Sequence, residues 1–298
     1  MDGILPQIVQ DGVTIFLGIV VQATPFILLG VVLSAILAHF VSEKVILKLF
    51  PKNRLGGILV ASLVGSIFPV CECGNVPVAR RLIKKGVHPA TALTFLLAAP
   101  VMNPVVIFAT WVAFSFMPGL VVLRVLFTLI IAWTVGIIFS FHPNPKELIA
   151  HGKDGDDHFH TVHPIKPFAF IQTIAREFSE MLAILSIGAF LATTIQMVLP
   201  REILLNLGGS TLMAILAMML FAFIISVCAN VDAFIALSYV NLFPASALLG
   251  FLVFGPMIDI KMLTLIQKVY SKKAMIFIVL LVTLLTVLLT YTAHIFLL

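Results

Sequence analysis

The chain has 298 residues, of which 61% are hydrophobic and 10% charged, with mean hydropathy +1.18 and a net charge of +5. That composition excludes a soluble globular domain and predicts an all-α, polytopic membrane protein. The basic residues sit in clusters between apolar runs, where they read as topology determinants and not as a nucleic-acid surface.

The N-terminus carries Asp2 and Asp11 but no Lys or Arg before the first apolar run, so it does not read as a cleaved signal peptide. A long span is expected over residues 13–40, followed by a loop with Glu43, Lys44, Lys48, Lys52 and Arg54. An apolar arm at 55–70 runs into Cys71-Glu72-Cys73-Gly74-Asn75-Val76-Pro77, which sets two thiols, a carboxylate and an amide in a chain otherwise built for lipid. A short segment then closes on Arg80-Arg81-Leu82-Ile83-Lys84-Lys85-Gly86. The next apolar run, 89–117, is interrupted at Pro100-Val101-Met102-Asn103-Pro104. Proline removes a backbone donor and clashes with the preceding turn, so Pro100 and Pro104 are predicted to break this helix and free carbonyls at depth. Pro118-Gly119 turns the chain into a run at 120–141.

Residues 142–167 form the one long polar segment, with His151, Asp154, Asp156, Asp157, His158, His160 and His163. Imidazoles and carboxylates at this density bind Zn²⁺ weakly, through His158 and His160 among others, and a plain solvated linker has the same composition. Both readings stand.

The second half repeats the order of the first. A span is expected at 168–199, an arm at 210–227, a break at Cys228-Ala229-Asn230-Val231-Asp232, and an apolar run from 244 broken at Gly255-Pro256-Met257-Ile258-Asp259. The last run, 274–298, has 25 residues without a formally charged side chain, about enough to cross a hydrocarbon core of ~30 Å. Cys228 to Asp232 aligns without a gap on Cys73 to Pro77, and Pro244-Ala245-Ser246-Ala247-Leu248 echoes Pro89-Ala90-Thr91-Ala92-Leu93. The expected organisation is a first membrane repeat at 1–141, a linker at 142–167 and a second, homologous repeat at 168–298.

Charge bears on how the halves are oriented. If the arm at 55–70 crosses fully, the loop at 44–54 and the cluster at 80–85 face opposite sides, against the positive-inside bias. Folded back as a re-entrant hairpin, it leaves both clusters in the cytoplasm with Lys268, Lys272 and Lys273. Each half then crosses three times and the repeats are inverted, with broken helices meeting near the midplane. Eight ordinary spans are the alternative.

Polar breaks that recur in both halves suit a solute pathway. The candidate substrate-contacting residues are Cys71, Glu72, Cys73, Asn75, Asn103, Cys228, Asn230, Asp232 and Asp259. Thiolates prefer Zn²⁺, Cu(I), Cd²⁺ or As(III), which makes Cys71, Cys73 and Cys228 the candidate metal ligands. Glu72 and Asp232 each cost roughly 2.5–3.5 kcal/mol in hydrocarbon unless paired, protonated or hydrated, which points to a wet cavity where either takes a proton as cargo leaves. Blander readings stand beside these: the asparagines cap half-helices, Cys228 is a small buried hydrophobe, and Arg124 and Lys261 snorkel to the interface.

The pattern Cys71-x-Cys73-Gly74-x-x-Pro77-Val78, followed by Leu82, Lys85-Gly86, Phe95-Leu96, Pro100 and Asn103-Pro104, resembles the predicted-permease family that includes the arsenic permease ArsP and the YraQ- and YcgR-type permeases. Asp232-Ala233-Phe234 resembles that family's second-half element, and the likeness spans nearly the whole chain. Glu72 departs from the small residue expected between the two cysteines. The resemblance implies a permease of the bacterial cytoplasmic (inner) membrane, and its YcgR-type members imply a second membrane or extracytoplasmic subunit.

Residues and resemblance together predict a secondary transporter of a soft or borderline metal ion or metalloid, with no cofactor and no enzymatic role. A small organic or anionic solute is an alternative cargo, and a thiol-redox role for Cys71 and Cys73 is an alternative function. No nucleotide-binding loop, haem motif or quinone motif is visible. The expected partners are the lipid bilayer and the cargo; a homo-oligomer stays open and nucleic acid is not expected.

Overall fold

The computed structural model describes residues 4–39, 49–51, 53–67, 72–150, 167–198 and 210–296. In the first half these form α1 (Ile4–His39), α2 (Arg54–Ile67), α3 (Glu72–Lys84), α4 (Pro89–Met102), α5 (Pro104–Ala113) and α6 (Pro118–Ser140). The second half has α7 (Pro167–Val198), α8 (Thr211–Ile225), α9 (Ala229–Leu237), α10 (Ala245–Phe254), α11 (Ile260–Ile266) and α12 (Lys272–Phe296). Among the described residues, the only β pairing is an isolated bridge between Ile149 and Tyr270.

The helix boundaries follow local chemistry. Pro89 starts α4, where its missing N–H costs nothing, and His88 Nδ1 accepts the Ala90 N–H at 3.2 Å. The matching sequence in the second half starts α10, with Pro244 as its N-cap. Asn103 ends α4 and caps α5, its Oδ1 accepting from Val105 N at 2.9 Å, and the two helices meet at a bend of 40°. Pro100 lies inside α4 and not at the break, so of the two prolines only Pro104 marks the interruption. In the second half, α8 stops at Ser226, which adopts a left-handed conformation (φ 49°). Its hydroxyl accepts the Ile260 N–H at 3.1 Å, pinning the α8/α9 break to the start of α11.

Packing partners recur between the halves. α2 lies along α4 and α4 against α6; α8 lies along α10 and α10 against α12. The short helices that follow the breaks cross over, with α3 against α11 and α5 against α9. The long helices α1 and α7 pack on each other and support these pieces, α1 backing α3 and α7 backing α11.

Two glycines allow that support. A Cβ at Gly30 would stand 2.1 Å from the Gly74 carbonyl oxygen, so α1 and α3 meet backbone to backbone one residue from Cys73. A Cβ at Gly188 would lie 2.5 Å from Thr264 Oγ1 and 3.2 Å from Lys261 Cα, so α7 and α11 also cross closely there. Small residues at such crossings are the usual device for close approach of membrane helices.

Among the described residues, three helices contain stretches long and apolar enough to cross a membrane: Gln10–Ile36, Pro118–Ser140 and Lys272–Phe296. The bent pair α4 and α5 makes a fourth if counted as one span. Their outward faces are greasy, with Phe108, Trp111, Val122, Leu280 and Leu284 exposed, as a protein solvated by lipid requires. The start of the polar linker is more ordered than its composition suggests. A short 3₁₀ turn at Pro145–Leu148 buries Leu148, and the chain then pairs with the loop before α12 through Ala150 N to Val269 O and Ser271 N to Leu148 O. Tyr270, in that loop, donates its buried hydroxyl to Pro89 O at 2.9 Å and so ties α4 to the second half.

Candidate functional site

The breaks of the two halves come together. Glu72, the first residue of α3, places Oε2 3.8 Å from the Sγ of Cys228, which is the N-cap of α9. Its other oxygen, Oε1, accepts from Lys261 Nζ at 3.3 Å. Lys261 is the second residue of α11, and its Nζ also stands 3.4 Å from Oδ2 of Asp259, the residue that caps α11 by accepting from Met262 N at 2.6 Å. Three helix starts, from breaks in both halves, therefore meet at one small cluster.

This cluster is buried. Glu72 and Asp259 are 1% exposed and Lys261 2%, and Cys228, which contacts Glu72, and Cys73, next to Glu72 in the chain, are buried with them. Two carboxylates face one ammonium, so the charges do not cancel. Acids at helix N-termini are placed well for the positive end of the helix dipole, which helps hold Glu72 and Asp259 where they are. Asn75, one turn along α3 on the face of Glu72, is fully buried, and both polar atoms of its side chain lack a hydrogen-bond partner among the described residues. Oδ1 of Asn230 and Oδ2 of Asp259 are likewise without a hydrogen bond, the latter in ion-pair range of Lys261 but poorly aligned. Buried polar atoms left unpaired are costly, and a cluster of them marks a place equipped to bind something.

A second buried pair lies further along α9. Arg124 of α6 donates to Asp232 Oδ2 at 2.5 Å and to Thr110 Oγ1 of α5 at 2.7 Å, with Arg124 1% and Asp232 3% exposed. This clamp joins α5 and α6 of the first half to α9 of the second. A third set lies at the far ends of α3 and α11. There Arg80 meets Glu180 at 3.3 Å, Arg81 meets Glu177, and Lys268 approaches Glu180 at 3.7 Å, all on partly exposed side chains. Ser34 of α1 donates to Glu177 Oε2 at 2.9 Å and closes this set.

The sequence-based residues divide accordingly. Glu72, Cys73, Cys228 and Asp259 gather at the centre; Asn75 and Asn230 stand beside it on α3 and α9. Asn103 acts as a helix cap, and Asp232 is engaged by Arg124. Cys71, His158 and His160 lie outside the described residues. Among the described residues, no group of three His, Cys, Asp or Glu side chains is arranged to hold a metal ion. Two expectations are overturned: neither Lys261 nor Arg124 snorkels, because each is buried and paired with acids from distant parts of the chain. Asp259 and Lys261 do not share a helical face, yet they meet because Asp259 caps the helix and stands outside its regular winding. An unpaired basic residue inside an apolar run was the available signal for both.

A helical, lipid-facing chain with buried ion pairs at helix breaks has the build of a polytopic membrane protein. The chain belongs to the family described as "Predicted permease", whose ArsP-type model matches residues 9–295. It is 38% identical over 273 residues to the "Putative two-component membrane permease complex subunit" of Streptococcus mutans, covering 90% of each chain. It is 37% identical over 271 residues to the UPF0718 protein YcgR of Bacillus subtilis, covering 91% of each. A more distant relative, the UPF0718 protein MJ0584 of Methanocaldococcus jannaschii, shares 27% identity over 128 residues, 41% of this chain and 34% of its own length. No solved structure matches.

Proposed function

We propose that this chain is a secondary permease that carries a soft or borderline metal ion or metalloid by alternating access around the cluster of Glu72, Cys73 and Cys228. The observation that carries the reading is the 3.8 Å contact between Glu72 and Cys228, which joins breaks 156 residues apart and sets two buried thiols beside a buried carboxylate. Sulfur ligands select soft cations and As(III) over hard ions, and unwound helix junctions supply further carbonyl ligands.

An inverted arrangement of the two repeats is part of this reading. Glu180 pairs with both Arg80 and Lys268, so those basic clusters share one end of the molecule, whereas eight full crossings would separate them. Two inverted halves can rock about a shared centre, with the cytoplasm facing the Arg80 end. Labelling of a Cys introduced at Ile83 from the cytoplasmic side only is the expected result. The relative from Streptococcus mutans is named as part of a two-component complex, and by that likeness we place a second subunit beside this chain.

Transport is tested in reconstituted vesicles, with the second subunit present, across Zn²⁺, Cd²⁺, Co²⁺, arsenite and methylarsenite. At least one of these should move, and the double variant Cys73→Ser, Cys228→Ser should abolish that movement while unfolding close to the wild-type temperature. Full activity in the double variant removes the sulfur-ligand mechanism.

A further inference from the structure

Lys261 has no place in the cargo reading as it stands. Its ammonium occupies the space between Glu72 and Asp259 that an incoming cation needs, 3.3 Å from one carboxylate and 3.4 Å from the other. Any cation bound at Glu72 and Cys228 with Lys261 in place would sit within a few ångströms of a like charge in a buried site. The lysine stem has four flexible carbons and a compact charge, so it can leave without unwinding α11.

We propose that Lys261 is a built-in competing cation that determines which cargo charge the centre accepts, an inference that rests on the permease reading above. In the empty protein Lys261 neutralises one of the two central carboxylates, which lowers the cost of holding them away from water while the empty carrier reorients. Cargo binds by displacing the ammonium from Glu72 and Asp259. Only a cation that gains more from the thiols and carboxylates than Lys261 does will enter, so weakly binding hard cations are excluded. Lys261 is thus a specificity-determining residue and not a structural counter-ion alone. The Arg124–Asp232 pair has no such role, since it balances one to one and is fastened by Thr110.

The test uses the full chain in lipid nanodiscs with Cd²⁺ as the probe. In the wild type, an amine-reactive reagent read by mass spectrometry should modify Lys261 slowly without Cd²⁺ and several-fold faster with it; unchanged labelling in a protein that Cd²⁺ stabilises overturns the proposal. In K261Q, the Cd²⁺ concentration that half-maximally raises the unfolding temperature should fall at least about tenfold, the scale set by removing a like charge a few ångströms away. K261R keeps the charge and should stay near the wild-type midpoint, which a purely structural role for the lysine would not require. A K261Q protein that folds only when Cd²⁺ is present also supports the proposal; one that stays unfolded in Cd²⁺, or that binds Cd²⁺ no tighter than wild type, overturns it. The two readings fail separately. If Cys73→Ser, Cys228→Ser leaves the Cd²⁺ response intact while K261Q tightens it, the sulfur-ligand reading falls and the role of Lys261 stands.

Discussion

Arg124 and Asp232 pair one to one, with Thr110 taking another guanidinium N–H, while Lys261 faces two carboxylates near buried thiols and an amide without partners among the described residues. Both clusters are buried, follow helix breaks and join the two halves, so burial alone does not separate structure from function. Balance does. The Arg124 clamp matches one cation to one anion, although Arg124 Nε and Asp232 Oδ1 also lack hydrogen-bond partners among the described residues, whereas the Lys261 cluster carries unequal charge, which leaves it ready to exchange partners.

Four tests sharpen that contrast. Arg124→Met strands the Asp232 carboxylate in a dry interior and should cost about 3–5 kcal/mol in unfolding free energy, with most of it recovered when Asp232→Leu is added. A loss under 1 kcal/mol would mean that water reaches the pair. Thr110→Val removes one charge-assisted hydrogen bond from the same clamp, and about 1.5–3 kcal/mol is expected by denaturant titration. Gly30→Ala touches no charge but pushes α1 off the Gly74 backbone, so a stability loss of about 1–3 kcal/mol should come with altered reactivity of the Cys73 thiol. The partly exposed set at the far end of α3 should matter least: Arg80→Ala costs about 0.2–1 kcal/mol, and the effect shrinks in high salt.

Much of the fold was legible beforehand because its signals are local. Proline at Pro104, the cap at Asp259 and the polar run at Cys228 each alter the chain within a turn, and helices end there as expected. Pro100 misled, since a proline inside α4 is tolerated where neighbouring helices enclose it. The ordered start of the linker was invisible, because residues 148–150 are held by the loop at 269–271, more than a hundred residues away. The candidate site was half legible. Repetition pointed to Cys73 and Cys228, and the cost of an acid in an apolar run to Glu72, but nothing in the sequence pairs Lys261 with Glu72 or Arg124 with Asp232, which lie 189 and 108 residues distant.

By itself, the sequence determined that this chain is helical, lipid-solvated and interrupted by polar elements in both halves, because hydropathy, proline and helix caps act over a few residues. Only the tertiary structure decided which acid answers which base. A buried charge must find its counter-charge wherever packing brings one, and here close crossings at Gly30 and Gly188 carry α3 and α11 to the same point.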